Sequence, residues 1–321
     1  MALGAGRMGR GIATAFAYAG HEVCLVDVKP RERAQAEVLG RGALAEIDAS
    51  LAAMAQWGAF DDALRPAILR RVRFVARDDA PHALAQADVV FEGVPEVLEA
   101  KREAFGFAGA HLRPDALLAS TTSTFLVTRL AEFAPHPQRF LNAHWLNPAH
   151  VIPLVELSAH PGTAPDASSA LSALLERIGK VPVMCAATPG YIVPRLQSLI
   201  MNEAARMIEQ GAATAEDIDR ATRYGLGFRF AKMGVVEFID FGGNDILYYA
   251  SRYLAQALGD DRYASPPIVD RMMREGRNGL RDGKGFHDFG GVDADAYRTQ
   301  VLGRMLDMLE HVGLLRPPDP G

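Results

Sequence analysis

Gly4-Ala5-Gly6-Arg7-Met8-Gly9, an apolar helical run to Ala19, Gly20, and the strand-like His21-Glu22-Val23-Cys24-Leu25-Val26-Asp27 together decide the fold of this chain. The glycines follow the pattern G-x-G-x-x-G, and each has a physical task. Gly4 permits a tight strand-to-helix turn, Gly6 lets a pyrophosphate approach the backbone, and Gly9 lets the helix pack against the strands. Arg7 and Met8 lie in the first turn of that helix, whose free N–H groups and positive dipole end suit phosphates. Asp27 ends the second strand, 23 residues after Gly4. A carboxylate there binds ribose hydroxyls and repels a 2′-phosphate. The reading is a dinucleotide site that favours NAD over NADP, with Lys29, Arg31 and Arg33 just beyond as opposing charges.

Upstream of the loop stand only Met1-Ala2-Leu3, against roughly five residues for a central strand. The expectation is therefore a native start before Met1, which mass spectrometry of the native N-terminus checks. Opening directly on the dinucleotide loop carries the further expectation of no signal peptide.

Downstream, short apolar runs alternate with helical stretches, the pattern of a mainly parallel sheet covered by helices. Helices are expected over residues 31–56, 61–71 and 167–178. Strands are expected at 72–75, 88–92, 116–120, 140–144, 154–157 and 181–185. Thr188-Pro189-Gly190 breaks the pattern, and the chain beyond is nearly all helical, starting with residues 191–210. Gly211 reads as a C-cap and Thr214 as an N-cap. The domains expected are 1–187, α/β, and 188–321, all-α, with a frayed tail from Pro317.

The 321 residues suggest about two domains. Hydrophobic residues at 49% and charged residues at 23% fit a globular enzyme. A net charge of −5 gives no electrostatic case for nucleic acid or anionic membrane. No apolar run approaches the ~18 residues a membrane span needs. Cys24 and Cys185 read as buried, reduced thiols of a cytoplasmic protein. No Cys/His cluster has metal-ligand spacing, so no metal is expected.

The second informative segment is Asn142-Ala143-His144-Trp145-Leu146-Asn147-Pro148, followed by Pro153-Leu154-Val155-Glu156-Leu157. Oxidising an alcohol with a nicotinamide needs a base for the hydroxyl proton, and histidine suits it because its pKa lies near working pH. A carboxylate on the other ring nitrogen fixes the tautomer and stabilises the imidazolium. Glu156, in an apolar strand-like run, is the candidate partner of His144.

These motifs resemble the L-3-hydroxyacyl-CoA dehydrogenase family from Gly4 to about Phe289. Beside the glycine loop and His144-x2-Asn147-Pro148, the resemblance rests on Glu96-x4-Lys101, Ser120-Thr121-Thr122-Ser123, Glu156 and Pro189-Gly190-Tyr191-Ile192-Val193. Glu216-Asp217-Ile218-Asp219 and Gly283-Lys284-Gly285-Phe286 complete it. It implies an N-terminal Rossmann-like domain, a helical C-terminal domain that mediates homodimerisation, and NAD as cofactor. By position it implies His144 as base, Glu156 as its partner, and Ser123 as donor to the substrate oxygen. Asn147 would help shape the site, and Glu96 and Lys101 would lie in the cofactor and substrate region.

The chain also departs from the acyl-CoA pattern. Pro194 stands where those members carry Asn, and proline lacks both the amide and the backbone N–H. The loop Gly225-Leu226-Gly227-Phe228-Arg229-Phe230-Ala231 is similar to the lambda-crystallin/L-gulonate and carnitine dehydrogenase branches, whose substrates are free acids. An Arg229 guanidinium suits a carboxylate. The resemblance therefore implies short-chain 3-hydroxyacyl-CoA as substrate. One alternative is a free hydroxy or formyl acid of carnitine, gulonate or pyridine-carboxylate type, and another is a non-catalytic NAD-binding protein. Plainer readings compete: a core histidine with a satisfied hydrogen bond for His144, a capped or salt-bridged structural acid for Glu156, a helix N-cap for Ser123, a solvated helix face for Lys101, a salt bridge for Arg229, and packing or a dimer interface for Tyr248, Tyr249 and Tyr253.

Overall fold

The computed structural model describes residues 1–318; residues 319–321, within the tail expected to fray, lie outside it. Eight strands, β1 (Ala2–Leu3), β2 (Val23–Val26), β3 (Val72–Val75), β4 (Val89–Glu92), β5 (Leu117–Ser120), β6 (Phe140–Trp145), β7 (Leu154–Ser158) and β8 (Val181–Cys185), form one sheet. Their order is β3-β2-β1-β4-β5-β6-β7-β8. All neighbours run parallel except β6 and β7. The exception has a simple cause: residues 146–153 alone join β6 to β7, short of the dozen or so a parallel crossover needs.

Successive strand residues feed opposite faces, as the pleat requires. Ala2, Leu25, Phe91, Ala119 and Leu141 join one core cluster, with Ile12 and Phe16 of α1 (Arg7–Tyr18) and Ile47 and Leu51 of α2 (Arg33–Gln56). Leu3, Val26, Val90, Leu118 and Phe140 join the other, beneath α4 (Ala80–Leu84), α5 (Leu98–Gly109) and α6 (Val127–Ala131). Between them in the chain comes α3 (Arg65–Arg70), and α7 (Pro165–Arg177) covers the first face again. A sheet covered on both faces reads as near-continuous apolar runs, as β5 does with every residue buried. Helix α8 (Val193–Glu209) follows β8.

The order of β1 to β6 reverses at β1 and β4, and ligands of such sheets bind outside the strand ends at that reversal. Gly4, with φ of 116°, turns the chain there, and Gly9 packs so tightly that an added Cβ would lie 1.9 Å from the Gly4 carbonyl oxygen.

Packing divides the chain after Ile200. The second unit is helical: α9 (Ala215–Ala221), a π-helical turn (Thr222–Gly227) into α10 (Phe228–Phe230), α11 (Val235–Gly242), α12 (Asn244–Leu258), α13 (Pro267–Arg274) and α14 (Ala294–His311). Thr214 caps α9 by accepting from the Asp217 N–H at 3.1 Å. The fully buried carboxylate of Asp240 accepts the N–H groups of Phe286 and His287 and meets His287 Nδ1, each at 2.8 Å. Gly285 allows this approach, since a Cβ there would lie 2.0 Å from Asp240 Oδ1. Cys24 and Cys185 are free thiols, half-buried and not fully buried as the sequence reading expected.

Candidate active site

The candidate residues of the first unit gather at the carboxyl edge of the sheet. His144 and Glu156 face each other in the antiparallel register of β6 and β7. That places the carboxylate Oε2 2.8 Å from His144 Nδ1, with both residues buried. The other oxygen of Glu156 accepts the N–H groups of Ile192 at 2.9 Å and Val193 at 2.8 Å, at the start of α8. One carboxylate thus orients the imidazole and satisfies orphan donors of a helix. Pro194 sits in the first turn of that helix, where a missing N–H costs least. Because an ionised carboxylate only accepts, Nδ1 carries the proton, and Nε2 keeps its lone pair. Nε2 has no hydrogen-bond partner among the described residues.

A second ionic cluster lies at the ends of β4 and β5. Glu92, fully buried, accepts from Lys101 Nζ at 3.1 Å, Ser120 Oγ at 2.6 Å and the Val94 N–H at 2.7 Å. Burial pushes the Glu92 carboxyl up, against the pull of Lys101 and Ser120. The Lys101 amine also meets Glu96 at 3.2 Å. Lys101 is not on a solvated helix face; it is completely buried, its charge divided between two carboxylates.

Glu96 carries the cluster to the surface. It accepts from the Thr122 hydroxyl, the Ser123 N–H at 3.1 Å, the Thr124 N–H at 3.0 Å and the Thr124 hydroxyl at 2.7 Å. Partial burial raises its carboxyl, but these donors and Lys101 outweigh that and hold it below the usual carboxylate range. Ser123 is exposed on the loop so held. It caps no helix, because α6 starts at Val127 with Leu126 as its N-cap.

The glycine loop fits a dinucleotide. An added Cβ at Gly6 would meet no protein atom within 4 Å, and Gly6 as N-cap puts no side chain on the first N–H groups of α1. A cavity of about 420 Å³ is lined by Gly4, Gly6, Asp27, Arg31, Gly93 and Pro95. Asp27 accepts from Arg31 Nε at 2.6 Å and the Lys29 N–H at 3.2 Å. Arg7 is exposed, and Met8 packs half-buried on the core. Exposed Asn147 and Arg7 line a neighbouring cavity of about 290 Å³.

Residues 1–188 match the NAD binding domain of 3-hydroxyacyl-CoA dehydrogenase, and residues 190–289 match its C-terminal domain. The chain belongs to the 3-hydroxyacyl-CoA dehydrogenase family. A probable 3-hydroxybutyryl-CoA dehydrogenase of Deinococcus radiodurans is 31% identical over 287 residues, 89% of this chain and 98% of that one. A 5-formyl-3-hydroxy-2-methylpyridine 4-carboxylate 5-dehydrogenase of Mesorhizobium japonicum is 30% identical over 88% of each chain. The crystal structure of a 3-hydroxyacyl-CoA dehydrogenase from Archaeoglobus fulgidus superposes with a TM-score of 0.76 at 31% identity, covering 98% of both chains. These relatives make the protein an NAD-dependent oxidoreductase.

In this member of the family, sequence reasoning passed over Tyr191 and Asn142 as site residues. The Tyr191 ring stacks on the His144 imidazole, and its hydroxyl is held by Asn142. The signal available was Tyr191 inside the Pro189-Gly190-Tyr191 motif, and Asn142 two residues before His144 on the same face of β6. Arg229, in the second unit, is exposed with its guanidinium 5.3 Å from the centre of the Phe238 ring, and makes no ion pair among the described residues. Among the described residues no group of three or more His, Cys, Asp or Glu is placed to hold a metal ion. No helix there is long and apolar enough to cross a membrane.

Proposed function

We propose that the protein interconverts a short-chain L-3-hydroxyacyl-CoA, such as 3-hydroxybutyryl-CoA, and its 3-oxo form, with His144 as the base. The observation that carries this reading is the buried 2.8 Å contact of Glu156 with His144 Nδ1, which leaves Nε2 basic. In the oxidative direction Nε2 takes the hydroxyl proton, and the Glu156 carboxylate stabilises the imidazolium. Ser123 and Asn147 orient the reacting oxygen. Glu96, backed by Lys101, holds the Ser123 loop beside the cofactor. Gly4, Gly6, Arg7, Met8 and Gly9 cradle the pyrophosphate and Asp27 the ribose. The chemistry NAD supplies when bound is acceptance of hydride from the carbinol carbon.

The test is NADH formation with L-3-hydroxybutyryl-CoA, compared with free L-3-hydroxy acids, carnitine, gulonate and a formyl-pyridine carboxylate. Turnover of the CoA ester that disappears in His144→Gln supports the reading; turnover unchanged in that variant ends it. A second reading, a free acid as substrate, is favoured by Arg229, whose exposed guanidinium makes no ion pair among the described residues, and by the Mesorhizobium relative, whose name specifies a carboxylate. Turnover of free acids alone, lost in Arg229→Met, would select it.

The same proposal includes a cytoplasmic homodimer formed through the C-terminal domain. Ile246, Tyr249 and Tyr253 of α12 are 63%, 64% and 70% exposed and recur at helical spacing, an apolar stripe that a second copy would cover. Light scattering of wild type and Tyr249→Glu/Tyr253→Glu checks it; a monomeric wild type rules it out.

A further inference from the structure

Tyr191 is held more firmly than a packing residue needs to be. It is the one non-glycine among the described residues with positive φ, at 45°. Such a conformation persists only where the surroundings over-determine it, and here they do. The ring lies on the His144 imidazole with centroids 4.9 Å apart and planes 12° apart. The hydroxyl donates to the Thr122 carbonyl oxygen at 3.0 Å and accepts from Asn142 Nδ2 at 3.0 Å. Asn142 in turn donates to the Phe125 carbonyl oxygen at 2.9 Å. Burial raises the phenol well above its ordinary range, so it is neither a base nor a nucleophile.

The imidazole needs such a support. Its bond to Glu156 fixes Nδ1 but leaves the ring free to swing about that contact, because the χ2 well of histidine is broad. A nearly parallel ring removes this freedom, and its electron-rich face also favours the cationic ring formed on proton transfer. The other end of Tyr191 rests on Thr122, whose hydroxyl accepts from the Phe125 N–H at 3.0 Å and donates to Glu96. Tyr191 thereby joins the base to the loop that carries Ser123.

We propose that Tyr191 is a positioning residue that fixes the plane of His144 and its distance from the Ser123 loop, so that both address one substrate oxygen. The inference rests on His144 being the base. Removing the ring misaligns Nε2 without touching the cofactor loop, so turnover falls while binding holds. Misplacements of this kind cost up to ~10²-fold.

The experiment compares wild type, Tyr191→Phe, Tyr191→Leu and His144→Gln as full chains, reading kcat and KM for the substrate turned over, NADH affinity by fluorescence, and Tm. The leucine variant is expected to lose about 10- to 100-fold in kcat, with KM and NADH affinity within about threefold. Phenylalanine, which keeps the stack and loses the phenol anchor, is expected to recover most of this and remain about three- to tenfold below wild type. A leucine variant with wild-type kcat and a lowered Tm would make Tyr191 merely structural and overturn the proposal. Should the leucine variant fail to fold, a phenylalanine variant with wild-type kcat overturns it equally, and a three- to tenfold loss at constant KM supports it. Full activity in His144→Gln would instead remove the base on which the inference stands, whereas an inactive His144→Gln beside a fully active Tyr191→Leu removes this inference alone.

Discussion

Two ionic clusters sit on neighbouring strand pairs, β4–β5 and β6–β7, at the same sheet edge, and they differ in what they leave unspent. In the His144–Glu156 cluster the carboxylate uses both oxygens, yet the imidazole uses only Nδ1. In the Glu92–Lys101–Glu96 cluster the amine is divided between two carboxylates, and the serine and backbone donors around them are also engaged. The lesson is that burial and charge do not by themselves mark a reacting group. On the proposed function the atom left over does: the first cluster leaves His144 Nε2 without a partner among the described residues, and the second closes on itself and holds a loop in shape.

The difference predicts opposite phenotypes. Glu156→Gln has the largest expected effect. Its amide oxygen remains on the Ile192 and Val193 N–H groups, so its NH₂ faces His144 Nδ1. That forces the tautomer with the proton on Nε2, and the base is lost. A fall in kcat of about 10²–10⁴-fold is expected with Tm nearly unchanged, read by steady-state kinetics and thermal unfolding. A large loss of Tm with kcat preserved in the folded fraction would erase the distinction between the clusters.

Lys101→Met should do the reverse. Two carboxylates lose their cation inside the fold, a change worth about 3–5 kcal/mol of stability. Urea unfolding measures it, and adding Glu92→Leu should restore only part of the loss, because the uncompensated carboxylate is removed but the Val94 N–H and Ser120 hydroxyl lose their acceptor. Loss of activity at full stability would mean that Lys101 contacts ligand directly.

Lys180 sharpens the comparison as a buried cation whose partners are neutral. Its amine donates to the carbonyl oxygens of Ala149 and Ile152, each at 2.8 Å, in the loop after Asn147. Burial lowers its pKa. Lys180→Met strands two carbonyls but also removes a desolvated charge, so a loss near the lower end of about 1–3 kcal/mol is expected. Loss equal to that of Lys101→Met would show that carbonyls restrain a buried amine as strongly as carboxylates do.

The sequence carried most of the architecture because its signals are local. The glycine loop, the apolar runs of β4 and β5 and the Thr214 cap each rest on residues near one another in the chain. His144 and Glu156 were legible as chemistry, but the antiparallel register that brings them face to face was not. What stayed hidden depends on contacts across the fold. Lys101 sits among Glu99, Arg102 and Glu103, a pattern that reads as a solvated face. Its burial follows from Glu92, which hydropathy assigns only to the end of a strand. Tyr191 is an aromatic in a motif until the turn after β8 lays it over an imidazole 47 residues earlier.

Glu96 stands where the closed cluster meets solvent and gives the smallest effect. Its folded-state pKa is depressed, by the hydroxyl and N–H donors of residues 122–124 and by Lys101, against the opposing effect of partial burial. A carboxyl depressed on folding adds stability that is fully present above its unfolded pKa of about 4.3. That stability drains away as pH falls through the lower folded value. Wild type should therefore exceed Glu96→Gln in Tm by a constant margin from about pH 5 to 7, and the margin should shrink on acidification below about pH 4.3. Solvent screening keeps it small, because the side chain is 36% exposed. Thermal unfolding across this range decides the point: a margin indifferent to pH would mean that the Thr122–Thr124 loop is held by shape alone, and that the charge of the closed cluster stops at Lys101.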